Sequence, residues 1–358
     1  MIQVVLLSGT PKLSGSTTWI NGLITGFSQL GIEHVHLVTG VTGDFPSSAQ
    51  LAFYTGRPRS KPYIRLLRLL KIHKLNKKYF SKVEADFFSF KVKKLLSGKL
   101  AEQVLVIKDY SSYLPEVFKS NKFIVVDVLH QQYQQYQRGG HHDHLVAVSN
   151  SVLAESRKIG FKVEKVILNP LDVQTLHKKA AQYQPECSSP FILFVGNIYR
   201  AKGVFELLEV FSQGRDDVFL GYTLVFVGNG RDFNELKANI KKLGLASRVI
   251  LTGTLVNPYP WIAAASLLVL PSSSEAMGYA AIEAAVLGVP YLVADFPAAK
   301  EFFCSDNIFN KNQTMSSTSS MLNKMVQLLQ TKQSRLIPGL SERMRPEAVA
   351  LEYYSFLR

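Results

Sequence analysis

Two glutamates eight residues apart are the residues of this chain best placed to do chemistry. They are Glu275 and Glu283 in PSSSEAMGYAAIEAAVLGVP (271–290), and they are the only charges in a stretch that is mostly small and apolar. Taken singly, each has a plain reading: Glu275 as an acidic residue at a helix N-terminus, Glu283 as a salt-bridged helix residue. The alanines and isoleucine flanking Glu283 argue for more. A carboxylate on a helix of small residues lets a ligand come close and accepts hydrogen bonds from vicinal hydroxyls, such as those of a ribose. The helix start beside Met277 and Gly278 offers backbone N–H groups to an anion. Together these features fit a sugar and a phosphate.

Other residue types narrow the chemistry. Arg200 and Lys202 follow a strand and a glycine in FVGNIYRAKG; alone they read as solvated loop cations. HQQYQQYQRGGHHDH (130–144) brings His130, His141, His142 and His144 close in sequence, but no cysteine accompanies them and Gly139–Gly140 points to a surface loop. No metal is expected there. His130 differs, because it directly follows the buried-looking run FIVVDVL, at the strand end where open α/β sheets bind ligands. Its plain reading is a structural or surface histidine. SGTPKLSGST has no Gly-Lys-Ser/Thr, GNGRDF lacks the third glycine of a dinucleotide fingerprint, and no C-x-x-C, H-E-x-x-H, G-x-S-x-G or D-x-D occurs.

The elements that position these residues follow from periodicity. QVVLL (3–7), a glycine-containing loop, a helical pattern from about Thr17 to Leu30 and EHVHLVT make a βαβ unit. QVLVIKD (103–109), FIVVDV (123–128) and LVAVSN (145–150) continue it. Residues 174–190 are polar and end in proline, and read as a linker. The pattern then restarts with strands at FILFVG (191–196), TLVFVG (223–228), RVILTG (248–253), SLLVLPS (266–272) and PYLVAD (290–295). Two successive α/β domains with parallel sheets are expected. The length of 358 residues agrees, at about 150–200 residues per domain. In the tail, RPEAVALEYYSFLR, an apolar side is expected from Ala348, Leu351, Tyr354 and Phe356 or Leu357. Two unpaired cysteines fit a reducing compartment, and neither a secretory signal nor a membrane span is expected.

EAMGYAAIE resembles the E-x7-E motif of retaining glycosyltransferases with the GT-B fold, in particular glycosyltransferase family 4, the glycosyl transferases group 1. FVGNIYRAKG, LVFVGNGRDFNEL, RVILTGTL and SLLVLPSSSEAMGYAAIEAAVLGVPYLVAD are similar to that family's segments in the same order. LVAVSNSVLAES, ILNPLD and LSGSTTWINGL resemble its N-terminal half less closely. The resemblance implies two Rossmann-like doubly wound domains facing across a cleft. Residues 1–173 would bind the acceptor and 174–344 the nucleotide sugar, with 345–358 packing back on the first. It implies that Glu283 binds the ribose and that Glu275, beside the backbone of Ala276–Gly278, touches the transferred sugar. Lys202 would neutralise the diphosphate without a metal, and Gly15 would let the N-terminal loop approach it. Gly196 belongs to the same glycine segment. His130 would face the sugar near the reacting carbon, and the base would lie near Gly228–Arg231 and Thr252–Leu255. The expected catalytic set is His130, Glu275 and Lys202. Where the family carries arginine this chain has Asn197, so Arg200 is the candidate to supply that charge.

Charge adds a second theme. Residues 51–100 hold 14 Lys and Arg against 2 Asp and Glu, whereas the rest of the chain holds 27 against 25. In 56–82, Tyr63, Leu66, Leu67 and Leu70 share one helical face, and Lys61, Arg65 and Arg68 another, with Lys71 and Lys74 following. Two readings stay open: a solvated helix packed by its leucines, and a helix on an anionic membrane surface. No recognition motif accompanies the charge, so nucleic acid is not an expected partner. The expected function is transfer of a sugar from a UDP- or GDP-type donor to a glycan or lipid-linked acceptor, in surface polysaccharide or glycolipid synthesis. No cofactor is expected, and the location is cytoplasmic, at the inner face of the membrane. The alternatives are a non-catalytic homologue serving as a partner or scaffold subunit, which Asn197 favours, and a nucleotide-sugar epimerase.

Overall fold

A computed structural model describes residues 1–8, 15–38, 51–52, 96–109, 116–131, 141–311, 317–332 and 334–358. The basic segment 56–82, with Lys61, Arg65, Arg68, Lys71 and Lys74, lies outside them. The chain divides into two compact units, Met1–Leu171 with Ser341–Arg358, and Asp172–Leu340.

The first unit runs β1 (Ile2–Ser8), α1 (Gly15–Gln29), β2 (His34–Val38), β3 (Leu51–Ala52), β4 (Leu100–Asp109), β5 (Phe123–Leu129), β6 (His144–Ala147), α2 (Asn150–Lys158) and β7 (Lys165–Val166). Its strands form a parallel sheet in the order β3-β2-β1-β4-β5-β6-β7 among the described residues. The runs VVLL, VLVI and VVDVL are buried on both faces, which is why they read as continuous apolar stretches rather than alternating ones. Val5 pairs with Val35 on one side and Val106 on the other. Leu96, Phe118 and Phe123 close the core beneath them, the two phenylalanine rings meeting edge-on at 5.0 Å. Ser149 caps α2 by accepting from the Val152 N–H.

The second unit runs α3 (Val173–Ala180), β8 (Phe191–Val195), α4 (Val204–Gly214), β9 (Thr223–Val227), α5 (Phe233–Lys242), β10 (Val249–Gly253), α6 (Tyr259–Ala264), β11 (Leu267–Leu270), α7 (Tyr279–Val286), β12 (Tyr291–Ala294), α8 (Ala299–Phe302), β13 (Ile308–Phe309) and α9 (Ser317–Thr331). Its parallel sheet has the order β10-β9-β8-β11-β12-β13. In both sheets the winding reverses beside the first strand, between β1 and β4 and between β8 and β11. Open α/β sheets bind ligands in the crevice at the carboxyl edge beside such a point.

Three sequence expectations differ from the structure. The stretch 174–190 is not a linker throughout. Asp172 accepts from the Thr175 N–H (2.9 Å) and hydroxyl (2.8 Å), starting α3, and one apolar residue, Leu176, is enough to seat it. The first sheet gains β3 and β7 and the second gains β13, each of two residues and too short to show a period. In the tail, α10 (Leu340–Arg343) and α11 (Pro346–Tyr354) follow, and α11 buries Pro346, Val349, Ala350 and Tyr353 while Leu351 is 50% exposed. The expected face was one residue out of phase. The cause is α1: its Gly26 lets the Pro346 carbonyl come so near that a Cβ there would lie 2.1 Å from the oxygen. No helix among the described residues is long and apolar enough to cross a membrane.

Candidate functional site

The crevice of the second unit is built by two loops. After β8 the chain passes Gly196–Tyr199, makes one tight turn at Arg200–Lys202, and enters α4 through Gly203. After β11 it passes Pro271–Gly278 and enters α7. The loops are stitched together: the backbone N–H and hydroxyl of Ser273 both lie 3.1 Å from the Ala201 carbonyl. Gly203 sits at φ 72°, and a Cβ there would lie 2.2 Å from the Pro271 carbonyl oxygen. Only glycine combines that left-handed backbone with so close an approach.

This contact brings two expected residues together. Lys202 Nζ donates to Glu275 Oε1 at 2.6 Å, with the side chains 25% and 18% exposed. Each keeps capacity for a ligand: the ammonium has three donors, and the carboxylate has a second oxygen. Gly278, at φ 71°, starts α7, and the buried Met277 precedes it. Ala276 is partly buried beside them.

Glu283 lies in the second turn of α7, 7% exposed. The Tyr259 hydroxyl donates to its Oε1 at 3.1 Å. Burial pushes its pKa up to about 7, against the opposing pull of that hydrogen bond and of the Lys179 charge. Tyr259, on α6, was not singled out from the sequence, where the neighbouring Thr252–Leu255 stretch drew attention instead.

The loop after β9 packs tightly on the one after β8. Gly228, at φ 142°, faces Gly196 so closely that a Cβ would lie 1.9 Å from the Gly196 carbonyl oxygen. Ile198 N–H bonds Asn229 O at 3.1 Å, and Asp232 N–H bonds Ile198 O at 3.2 Å. Asn197 is exposed. Arg200 takes a partner on α5, its guanidinium pairing with Glu235 and stacking over Phe205. Arg231 lies over the Tyr199 ring and 3.6 Å from Asp232. Thr252 donates to the Gly253 carbonyl at 2.9 Å. Lys311, also missed in the sequence, donates to the Pro271 carbonyl at 2.7 Å and lies 3.8 Å from Glu206. Its place depends on β13, which the sequence does not reveal.

In the first unit, His130 follows β5 and its Nε2 stands 3.9 Å from Asp109 Oδ2 at the end of β4. Its ring meets Trp19 of α1 edge-on at 4.5 Å. Burial lowers its pKa, with Asp109 acting in the opposite direction. Gly15 opens α1. The histidines of 130–144 each have a different carboxylate: His141 with Asp143 (3.6 Å), His142 with Asp127 (3.4 Å) and His144 with Glu164 (3.0 Å). Asp127 also forms a buried pair with Lys108 at 2.7 Å.

Residues 177–339 match the Glycosyl transferases group 1 family. That span holds Lys202, Glu275 and Glu283, and excludes Gly15 and His130. The 2-deoxystreptamine glucosyltransferase of Streptomyces kanamyceticus is 33% identical over 127 residues, 34% of this chain and 31% of that protein. The N-acetylgalactosamine-N,N'-diacetylbacillosaminyl-diphospho-undecaprenol 4-alpha-N-acetylgalactosaminyltransferase of Campylobacter jejuni is 26% identical over 177 residues, 48% of this chain and 47% of that protein. The matched region is therefore less than half the length of either. Anabaena HepE, solved with UDP-glucose, superposes with a TM-score of 0.66 at 14% identity over 99% of this chain and 96% of that one. This likeness is one of fold: two Rossmann-like α/β units of the GT-B type.

Proposed function

We propose that the chain is a retaining, metal-independent glycosyltransferase. It would move a hexose or related sugar from a nucleoside diphosphate sugar to a glycan or lipid-linked acceptor. The observation that carries this is the Lys202–Glu275 pair at the crevice of the second unit, with the carboxylate of Glu283 further along the same helix segment. The family match over 177–339 supports the same reading.

In this reading Glu283 accepts hydrogen bonds from the ribose diol, and Lys202 turns its remaining donors to the diphosphate. As the bond between the anomeric carbon and the diphosphate oxygen breaks, charge grows on that oxygen, and a fixed ammonium stabilises it most at that moment. Glu275 holds the Lys202 ammonium in place and accepts from hydroxyls of the departing sugar. The acceptor oxygen bonds to the anomeric carbon from the face the diphosphate leaves, and its proton passes to the leaving phosphate. The first unit would hold the acceptor. Asn197 brings no charge and Arg200 is engaged by Glu235, which leaves Lys202 as the main cation for the diphosphate. The basic segment 56–82 would hold the protein on the anionic inner face of a membrane, where a lipid-linked acceptor resides.

The test is nucleotide release from UDP-, GDP- and ADP-sugars by the purified chain in the presence of EDTA, beside Lys202→Ala and Glu283→Ala. Slow hydrolysis of one donor, reduced at least a hundredfold in both variants, is expected. Loss of turnover on adding EDTA refutes metal independence, and wild-type turnover in either variant refutes the site.

A further inference from the structure

We infer that Tyr259 is a positioning residue for Glu283: braced by α3, it fixes one oxygen of the carboxylate so that the other is presented to a ribose diol. The inference rests on the reading of Glu283 as the ribose ligand, and it adds a residue and a brace to that reading.

A buried carboxylate needs a hydrogen-bond donor to hold it. Glu283 is almost fully enclosed on α7, where the alanines and isoleucine beside it offer no side-chain donor. A carboxylate free to rotate there would have to be ordered by each incoming nucleotide, and that ordering weakens binding. The Tyr259 hydroxyl supplies a donor at 3.1 Å to Oε1. A hydrogen bond to an ionised group is among the stronger ones, and it also favours the charged form.

Tyr259 is itself held. Its backbone N–H bonds Asn257 Oδ1 at 3.1 Å. The Asn257 amide donates to the Lys179 carbonyl at 2.8 Å and to Gln182 Oε1 at 2.9 Å. The Tyr183 hydroxyl donates to the Asn257 carbonyl at 2.6 Å. Lys179 Nζ stands 5.7 Å from the centre of the Tyr259 ring. Thus Lys179 at the end of α3, with Gln182 and Tyr183 just after it, grips a single turn, and that turn aims one phenol at one carboxylate. Nothing about the polar composition of 174–190 suggests such a task. The α3 segment, the first helix of the second unit, is tied by these bonds to the turn that carries Tyr259.

On α7 itself the other phenol is Tyr279, one turn before Glu283; two groups on neighbouring elements act on the charge of the carboxylate. From α6 comes the Tyr259 phenol, and from α3 the Lys179 ammonium. On the strands packed against α7, β11 carries no titratable side chain, and the Tyr291 hydroxyl of β12 donates to the Arg335 carbonyl instead. Removing the phenol therefore leaves burial opposed by Lys179 alone, and the carboxylate takes a proton at higher pH.

The experiment is calorimetric titration of the full chain, wild type and Tyr259→Phe, with UDP, GDP and their 2′-deoxy forms between pH 6 and pH 9. Phenylalanine keeps the ring and its packing, and a thermal melt checks that both proteins fold. In the wild type the ribonucleotide binds more tightly than its 2′-deoxy form, and affinity falls as pH drops through about 7. In Tyr259→Phe, the dissociation constant for the ribonucleotide rises about tenfold. The preference over the 2′-deoxy form shrinks by a similar factor, and the pH limb moves upward. Unchanged affinity, preference and limb overturn the role of Tyr259. So does a weaker affinity in which preference and limb stay put, because that describes a general loss of structure. A wild type that binds no nucleotide, or binds both forms equally, overturns the ribose reading and this inference with it.

Discussion

Gly203→Ala should uncouple the two loops of the site, and its cost can be worked from the structure. Two penalties apply. A left-handed φ of 72° costs alanine about 1–2 kcal/mol relative to glycine. The new Cβ would also stand 2.2 Å from the Pro271 carbonyl oxygen, about 1 Å inside normal contact. Relieving it means moving backbone against backbone, for which overpacking costs of about 1–3 kcal/mol are typical. The expected total is about 2–5 kcal/mol. Gly244→Ala supplies the control, because Gly244 has φ 68° but nothing within 4 Å of a Cβ. It should cost the first penalty alone, about 1–2 kcal/mol. Urea unfolding of both variants, following the transition that reports the second unit, measures the difference. Function should separate them further. Lys202 precedes Gly203, and a shift of about 1 Å there would pull its ammonium off Glu275, a displacement able to cost about a hundredfold in rate. Nucleotide-sugar hydrolysis should therefore collapse in Gly203→Ala and survive in Gly244→Ala. Equal destabilisation with wild-type turnover in both would rule out this coupling, since the loops would then be shown to tolerate separation.

Two further outcomes follow from buried charge. Glu283 holds its proton up to about 7 in the folded chain, against an ordinary value of 4.5, so the folded state binds that proton more tightly than the unfolded one. Stability from this residue is full below pH 4.5 and falls by about 3 kcal/mol as pH rises to about 7; Glu283→Gln should escape that loss, which urea melts at pH 5 and pH 8 would read as an advantage present only at pH 8. Lys108 and Asp127, cross-strand partners at 1% and 0% exposure, should each cost about 3–5 kcal/mol when replaced singly (Lys108→Met, Asp127→Leu), and less than either single change when replaced together, as melting of the double variant would show.

The longer strands were legible because a parallel sheet covered on both faces leaves an unbroken apolar run between turns, a signature the two-residue strands β3, β7 and β13 are too short to carry. Lys202 and Glu275 were legible as candidates because each follows such a run within a few residues. Their mutual contact was not, because it depends on Gly203 letting the Pro271 carbonyl approach, and no spacing rule encodes a distance between loops 70 residues apart. Tyr259 and Lys311 escaped for related reasons. Tyr259 reaches Glu283 through an α6 that is only six residues long, and Lys311 is set by a two-residue strand. The α3 helix escaped because one buried leucine seats it, so its composition stays that of a polar linker. In the tail, the pattern Pro346, Val349, Ala350, Tyr353 was present in the sequence, but proline and alanine are weak apolar signals beside Leu351 and Phe356. Which face is buried was decided by the glycine on α1.

The two units also show how depth decides what a lysine–carboxylate pair can do. Both pairs lie near the carboxyl edge of a parallel sheet, beside the strand where winding reverses. Lys108 and Asp127 are strand residues directly opposite each other, closed to solvent, with His142 on the second carboxylate oxygen. That pair has no donor or acceptor turned toward a ligand by exposure, and its removal is a matter of folding. Lys202 and Glu275 sit one loop further out, at 25% and 18% exposure. There the solvation that remains keeps the net stabilisation small, while the fixed geometry keeps both charges in place. A pair that contributes little to folding, yet is held by two stitched loops and a glycine contact, is better explained by what it can hold than by what it stabilises. The same topology thus carries a fully buried ion pair in one unit and a partly exposed one, set on loops beyond the strands, in the other.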